Sequence, residues 1–386
     1  MRVVLFSRYP RSFDLPKGGV ESVTVILARA LARKTDLDVH LITLEKGLAE
    51  EMAEEDGKVT IHRLVASFWP QVLDIHAGPG RRRLLNKIRQ LNPDLVHSHE
   101  TFGLAMGHLE VPHVFTVHGF DHANIPAEGR FFARGRSFFW KYVERRGLGQ
   151  QKTIISISPY VRGMIEQYAP QAAIYDIDNP VDDRYFAIMP DKQEKINKRV
   201  LILGWINERK NTLGAVRAIA HAIRSGANGT LVVAGEAKLA SYKELLLQEI
   251  RDLGIENHVE FLGHINREQL KNELRRTSIL LLPSLQENAP MAISEAMAAS
   301  IPVVTSNRCG MPYMVADGES GFLVDPTDSA KIGERLKQLL LSPDLCRTMG
   351  ARGREIALAR FHPDVVAAKT QQVYQNILQK QTHAAS

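Results

Sequence analysis

The sequence predicts an α/β protein of two doubly wound domains, each a mainly parallel sheet covered by helices on both faces. Three observations carry that prediction. Short apolar runs alternate with helical patterns along almost the whole chain, as they do where crossover helices join parallel strands. The 386 residues suit two or three domains at roughly 100–200 residues each. A stretch rich in charge and proline, 176–199, divides the alternation into two halves.

The first half offers strands at Val3–Phe6, Val39–Thr43, Thr60–Leu64, Leu95–His97, His113–His118 and Thr153–Ser156. Between the first two lies Glu21–Arg33, where Val23, Ile26, Leu27, Ala30 and Leu31 recur at helical spacing. The second half repeats the rhythm with Val200–Gly204, Leu231–Gly235, Val259–Gly263, Ile279–Leu282, Pro302–Thr305 and Gly321–Val324. The divider carries Asn179, two prolines and the charges Asp191, Lys192, Glu194, Lys195, Lys198 and Arg199 with little periodicity. It places a first domain at 1–178 and a second at 179–360. A final amphipathic helix, Phe361–Leu378 within 361–386, is expected to pack back toward the first domain. Two such sheets facing each other would leave a cleft outside the carboxyl ends of their strands, where open α/β folds bind ligands.

Composition excludes several classes. With 44% hydrophobic and 24% charged residues the chain is globular rather than disordered. Its longest stretch free of Asp, Glu, Lys and Arg is Ala296–Asn307, short of the ~18 apolar residues of a spanning helix. Cys309 and Cys346 make neither a disulfide framework nor a zinc spacing. The opening run Arg2–Phe6 reads as a strand and not as a signal peptide, so a cytoplasmic location is expected. The net charge is +6, concentrated in the first half. Seven basic residues lie between Arg130 and Lys152 against the single acid Glu144, and Arg81–Arg83 with Lys87 and Arg89 form a second cluster.

The strongest local signal follows the strand Ile279–Leu282. Glu287-Asn288-Ala289-Pro290-Met291-Ala292 leads into a helix that carries Glu295. Proline favours a first helical position, which makes Glu287 a loop residue and sets Glu295 one to two turns inside. The amides of Ala289, Met291 and Ala292, with the helix dipole, then suit a diphosphate, and the flanking carboxylates suit hydroxyls. The alternative is an ordinary helix with one terminal acid and one surface acid. Gly204-Trp205-Ile206-Asn207-Glu208-Arg209-Lys210 follows another strand, and Lys210 there can meet a departing phosphate; the alternative is a solvated loop. Lys17-Gly18-Gly19 lies between strand and helix, where glycine lets a ligand approach the backbone or simply turns the chain. No GxGxxG dinucleotide fingerprint occurs.

His97 and His99 lie two apart on a strand, but no further ligand stands at a metal-binding spacing, so no metal is expected. His118, at the end of the strand His113–His118, reads as a structural or a functional histidine.

These residues together resemble the retaining glycosyltransferases of the group-1 family (glycosyltransferase family 4), of two-domain GT-B architecture. The resemblance runs over essentially the whole chain. It is carried by Gly18-Gly19, His118, Asn179-Pro180-Val181-Asp182, Gly204 with Lys210, and Val232-Val233-Ala234-Gly235. Further along it is carried by Phe261-Leu262-Gly263, the Glu287/Glu295 pair, Pro302-Val303-Val304 and Asp317-Gly318-Glu319-Ser320-Gly321.

The resemblance implies a hexose-type sugar moved, with retention, from a nucleoside diphosphate sugar to a saccharide or lipid-linked saccharide in polysaccharide or glycoconjugate synthesis. A UDP-sugar is favoured over a GDP-sugar, and neither cofactor nor metal is needed. Gly18 and Gly19 would lie against the donor, and Lys210, with Arg209 and Gly204, would meet the diphosphate. His264 and Ile265 would meet the base. Glu287 would bind the transferred sugar and Glu295 the ribose, with Asn288–Ala292 completing the donor site. His118 would stand at the reacting face. Front-face attack through an oxocarbenium-like transition state would load charge onto the leaving phosphate.

Three positions depart from the family pattern. Trp205 stands where arginine is frequent, Asn211 where glycine is usual, and Tyr313 where an acid is common. Arg209 substitutes for the missing arginine, or the diphosphate is held by fewer charges. Two other readings share the architecture: a sugar-nucleotide epimerase, and a non-catalytic binding or scaffold protein of polysaccharide assembly.

Phe131-Phe132-Ala133-Arg134-Gly135-Arg136-Ser137-Phe138-Phe139-Trp140-Lys141 is the segment that donor binding explains least. Basic and aromatic residues on one helix suit an anionic bilayer surface, so residues 130–146 are a candidate docking surface at the inner membrane face. The alternative puts the aromatics in the core and the arginines in solvent. No nucleic-acid motif accompanies the charge, and nucleic acid is not an expected partner.

Overall fold

The computed structural model describes residues 1–13, 15, 18–33, 36–125, 133–188 and 198–385. The chain divides into two compact units. The first comprises Met1–His122, Ser137–Pro180 and Pro363–Ser386; the second comprises Ala123–Arg136 and Val181–His362.

The first unit is built on β1 (Arg2–Phe6), β2 (Asp38–Glu45), β3 (Met52–Asp56), β4 (Val59–Val65), β5 (Leu95–His99), β6 (His113–Val117), β7 (Thr153–Ser156) and β8 (Ala173–Asp176). They form one sheet in the order β3-β4-β2-β1-β5-β6-β7-β8. Every pairing is parallel except that of the edge strand β3 with β4. The chain reverses its direction of travel across the sheet at β1. Side chains alternate between faces along a strand, and the apolar runs fill two cores accordingly. Val3, Leu5, Val39, Leu41 and Leu95 enter one cluster, while Val4, Phe6, Ile42, Leu44 and Val96 enter the other.

The second unit contains β9 (Arg199–Leu203), β10 (Thr230–Ala234), β11 (Val259–Gly263), β12 (Thr277–Leu282), β13 (Val303–Ser306) and β14 (Gly321–Val324). Their order is β11-β10-β9-β12-β13-β14, all parallel, with the reversal at β9. Val200, Ile202, Leu231, Val233, Ile279 and Leu281 face one core, and Leu201, Val232, Leu280 and Leu282 the other. Each such side chain contributes about 1.5–3 kcal/mol on burial. That is why these strands read as continuous apolar runs.

Several elements differ from expectation. The polar edge strand β3 and the short β8 carry no apolar run. Inside the divider, Asp183–Phe186 forms a helical turn whose Tyr185 and Phe186 enter the core of the second unit. The charges Asp191, Lys192, Glu194 and Lys195 lie outside the described residues. The last helix is Pro363–Ala385, and its Val366, Ala367, Val373 and Tyr374 pack into the first unit with Val3 and Leu5. Among the described residues no helix is long and apolar enough to cross a membrane.

Candidate active site

The order reversal at β9 makes the carboxyl ends of β9 and β12 the switch point of the second sheet. The loops that leave those two ends are joined. Lys210 Nζ lies 2.7 Å and Arg209 Nη1 2.9 Å from Glu287 Oε1. Arg209 Nη1 also donates to the Gln286 carbonyl at 3.0 Å, and the Leu285 amide donates to the Arg209 carbonyl at 2.8 Å. Lys210 is buried, and the Glu287 side chain is 11% exposed. Burial alone would push the Glu287 carboxyl up. Lys210 and then Arg209 outweigh it and hold the group below its ordinary value.

Local backbone choices make room for this contact. Gly204 has φ +130, and a Cβ there would stand 3.1 Å from Lys210 Cε. Asn207 Oδ1 accepts the Lys210 amide at 2.9 Å. Asn211 has φ +53, in the left-handed region that asparagine tolerates better than most residues. Its side chain caps the helix Thr212–Arg224 by accepting from the Gly214 amide, and it donates to the Pro326 carbonyl at 2.6 Å. That accounts for asparagine at a position where glycine resembles the family pattern. Gly310 donates its amide to the Glu287 carbonyl at 2.9 Å, and a Cβ on it would lie 1.6 Å from the Asn288 carbonyl oxygen.

The helix after this loop is Met291–Ala298. Pro290 is its N-cap and not its first helical residue, because ψ 124 leaves it extended although φ −69 would suit a helix. The first helical amides are therefore those of Met291 and Ala292, which have no partner one turn back. Ala289 and Met291 pack against the core beneath. Glu295 is buried one turn into the helix. Burial pushes it up to about 7, opposed by Arg267 and reinforced by Asp182. Arg267 Nη1 stands 3.6 Å from Asp182 Oδ2. Arg267 is marked by no local signal, while Asp182 stands in the Asn179–Asp182 motif; both act on Glu295 from distant parts of the sequence. At the end of β11, Gly263 is left-handed at φ +66, His264 is exposed and Ile265 packs against the core. Trp205 is 45% exposed, with Lys238 Nζ 5.7 Å from its ring centre.

In the first unit the corresponding reversal lies at β1 and β5. Gly18 precedes the helix Gly19–Ala32, and a Cβ on Gly18 would meet nothing within 4 Å. Open space, and not a backbone constraint, is what this glycine supplies. Lys17 lies outside the described residues. His118 follows β6. Its Nε2 is 2.9 Å from His99 Nδ1, and the two rings stack at 5.3 Å. Burial drives His118 down to about 4 against a hydrogen bond with the Asn179 side chain, so the ring is neutral at pH 7. Both nitrogens of His97 are engaged, Nδ1 with Tyr374 Oη and Nε2 with Thr116 Oγ1, each at 2.6 Å. His97 is therefore a core histidine. No group of three His, Cys, Asp or Glu that could hold a metal occurs among the described residues.

On the helix Ala133–Leu148, Phe138, Phe139 and Tyr142 are 78%, 49% and 59% exposed. They stand among the exposed Arg136, Lys141, Arg145 and Arg146. Arg130, Phe131 and Phe132 lie outside the described residues.

Two Rossmann-like α/β units in one chain, their sheets parallel but for the edge strand β3, make up the GT-B architecture. Residues 17–185 match the family model Glycosyltransferase Family 4, and residues 188–356 match Glycosyl transferases group 1. The chain belongs to the group-1 glycosyltransferases. It is 25% identical over 374 residues to an uncharacterized glycosyltransferase of Methanocaldococcus jannaschii, covering 93% of this chain and 95% of that one. It is also 25% identical over 301 residues to the glycogen synthase of Mycobacterium tuberculosis, covering 76% and 71%. Among solved structures, sucrose-phosphate synthase from Thermosynechococcus elongatus superposes with a TM-score of 0.81 at 19% identity, over 100% of both chains. Anabaena HepE, solved in complex with UDP, superposes at 0.72 and 16% identity, over 97% of this chain and 100% of that one.

Proposed function

We propose that this glycosyltransferase takes a hexose-type sugar from a nucleoside diphosphate sugar, preferentially a UDP-sugar, with retention of anomeric configuration and without a metal. The observation that carries the proposal is the pairing of Lys210 and Arg209 with Glu287 directly before the helix Met291–Ala298. Two cations and one carboxylate leave a net positive charge beside two helix-start amides, the environment a diphosphate requires. Bond cleavage concentrates charge on the leaving phosphate, and fixed cations in a buried site lower that barrier most. Arg209 takes the part of the second cation that Trp205 does not supply.

In this reading Glu287 accepts hydroxyls of the transferred sugar, and Glu295 accepts those of the ribose. Asn288 and Pro290 shape the loop, while Gly204, Gly18 and Gly19 admit the donor closely. His264 and Ile265 border the base. His118 borders the sugar at the reacting face as a neutral ring, since an imidazole driven down to about 4 is not a general acid at pH 7.

The test is thermal shift with UDP-, GDP- and ADP-sugars, followed by product analysis with the sugar-nucleotide that stabilises the fold. Transfer to a saccharide acceptor with retained configuration is expected. A free epimer formed without acceptor would make the chain an isomerase, and binding without turnover would make it a scaffold.

For the acceptor we propose a saccharide, lipid-linked where the exposed aromatic and basic face of the helix Ala133–Leu148 meets an anionic membrane. Aromatic rings with a basic surround suit the headgroup region. Sedimentation with phosphatidylglycerol vesicles at low and moderate salt is expected to carry the protein down. No partition at either salt would end this part of the proposal.

A further inference from the structure

The segment His118–His122, which follows β6, is gripped at both ends. At its start His118 meets His99 and Asn179. At its far end the partner is Glu144, a buried acid on the helix Ala133–Leu148, whose neighbours Lys141, Tyr142, Arg145 and Arg146 are exposed. Both carboxyl oxygens are used. Oε1 accepts the Asp121 amide at 2.6 Å, and Oε2 meets His122 Nδ1. Two turns earlier on the same helix face, Ser137 Oγ donates to the His122 carbonyl at 2.7 Å. Between the two grips Phe120 is buried, its ring 5.6 Å from that of His122 and 6.0 Å from that of Tyr168.

A buried carboxyl is costly unless its hydrogen bonds are made, and an apolar side chain would fill the same space without that cost. What an acid adds here is two acceptor oxygens aimed at a loop amide and an imidazole. Burial pushes Glu144 up to about 8, with the Asp121 charge adding and the bonds to Asp121 and His122 opposing. Burial, with Lys141 nearby, holds His122 below its ordinary value.

We propose that Glu144 is a positioning residue for His118: by fixing Asp121 and His122 it sets where the imidazole stands beyond the end of β6. The proposal rests on the reading that His118 serves the reacting sugar.

The test uses the full chain labelled with [15N]histidine, with imidazole signals assigned by single histidine substitutions. Turnover is read as nucleoside diphosphate release from the nucleotide-sugar chosen above. The variants are Glu144→Ala, Glu144→Leu (near-isosteric, to keep the packing), Glu144→Gln (which keeps an oxygen for the Asp121 amide), His118→Ala and the Glu144→Ala/His118→Ala pair. Glu144→Ala and Glu144→Leu should shift the His118 signals and lower kcat about ten- to a hundredfold at unchanged donor KM. Glu144→Gln should restore most of both. In the His118→Ala background the Glu144 change should add nothing. Wild-type His118 signals in a folded Glu144→Leu variant, or losses that add in the double variant, would overturn the proposal. Wild-type turnover in His118→Ala would instead remove His118 from the reaction, and the imidazole signals alone would then decide whether Glu144 places it.

Discussion

Lys210 and Glu287 meet through a 2.7 Å ion pair that joins the loop after β9 to the loop after β12. The carboxylate that binds sugar hydroxyls in our proposal thus also holds the cation intended for the diphosphate. In that proposal one contact sets the spacing between the two halves of the donor.

Replacing Lys210 separates those roles. Lys210→Ala leaves Glu287 with Arg209 alone, so the fold should survive while transfer slows by about 10²–10³-fold. Steady-state turnover beside circular dichroism checks this. A folded variant with unchanged kcat would remove Lys210 from the mechanism.

Glu287→Gln should act in opposite directions on binding and on rate. Removing its negative charge beside the phosphate pocket frees both cations, so nucleoside diphosphate should bind about tenfold tighter (roughly 1.4 kcal/mol). Turnover should fall by orders of magnitude because the sugar loses a charged acceptor. Calorimetric titration with UDP and GDP reads the first effect, and the transfer assay the second.

In our proposal Glu295 makes nucleotide binding depend on pH. Its carboxyl is pushed up to about 7 by burial, against Arg267. As a carboxylate accepting ribose hydroxyls it should bind nucleotide more tightly as pH rises from 6 to 8, and Glu295→Gln should flatten that slope. The stability term has the opposite sense. A folded value above the unfolded one means the native state holds the extra proton, so this stabilisation is complete below pH ~4. It is lost as pH rises through about 7. Melting temperature against pH, for the wild type and Glu295→Gln, checks the sign.

Asn211 tests the backbone under Lys210. Its φ of +53 and its cap on the helix Thr212–Arg224 predict unequal costs for two small substitutions. Both substitutions lose the cap and the bond to the Pro326 carbonyl. Asn211→Ala also strains the left-handed residue and should cost about 3–4 kcal/mol, against about 1 kcal/mol for Asn211→Gly. Urea denaturation measures both.

The parallel strands are legible in the sequence because buried strands such as Leu201–Leu203 and Ile279–Leu282 must be apolar on both faces. β3 is not, because Met-Ala-Glu-Glu-Asp shows no apolar run. It is held by its antiparallel pairing with β4, by Arg63 of that strand on Glu54, and by the distant Tyr9 on Asp56, which no local pattern announces. In the site, Lys210 and Glu287 are readable as polar residues just past strands. Their meeting is not readable, since 77 residues separate the Arg209 guanidinium from the carbonyl it reaches. Pro290 misleads by one position because its fixed φ suits either side of the helix boundary, and only ψ decides. Glu144 reads locally as one acid among many bases, and only the fold turns it inward onto Asp121 and His122.

In our proposal a diphosphate bound to sugar lies over Lys210 at the start of the helix Met291–Ala298. A crystal structure of the protein with its nucleotide-sugar measures this directly. Phosphate oxygens should stand about 3 Å from Lys210 Nζ and from the Met291 or Ala292 amide, with a sugar hydroxyl on Glu287. A nucleotide bound away from β9 and β12, or a nicotinamide or flavin in that place, would contradict it.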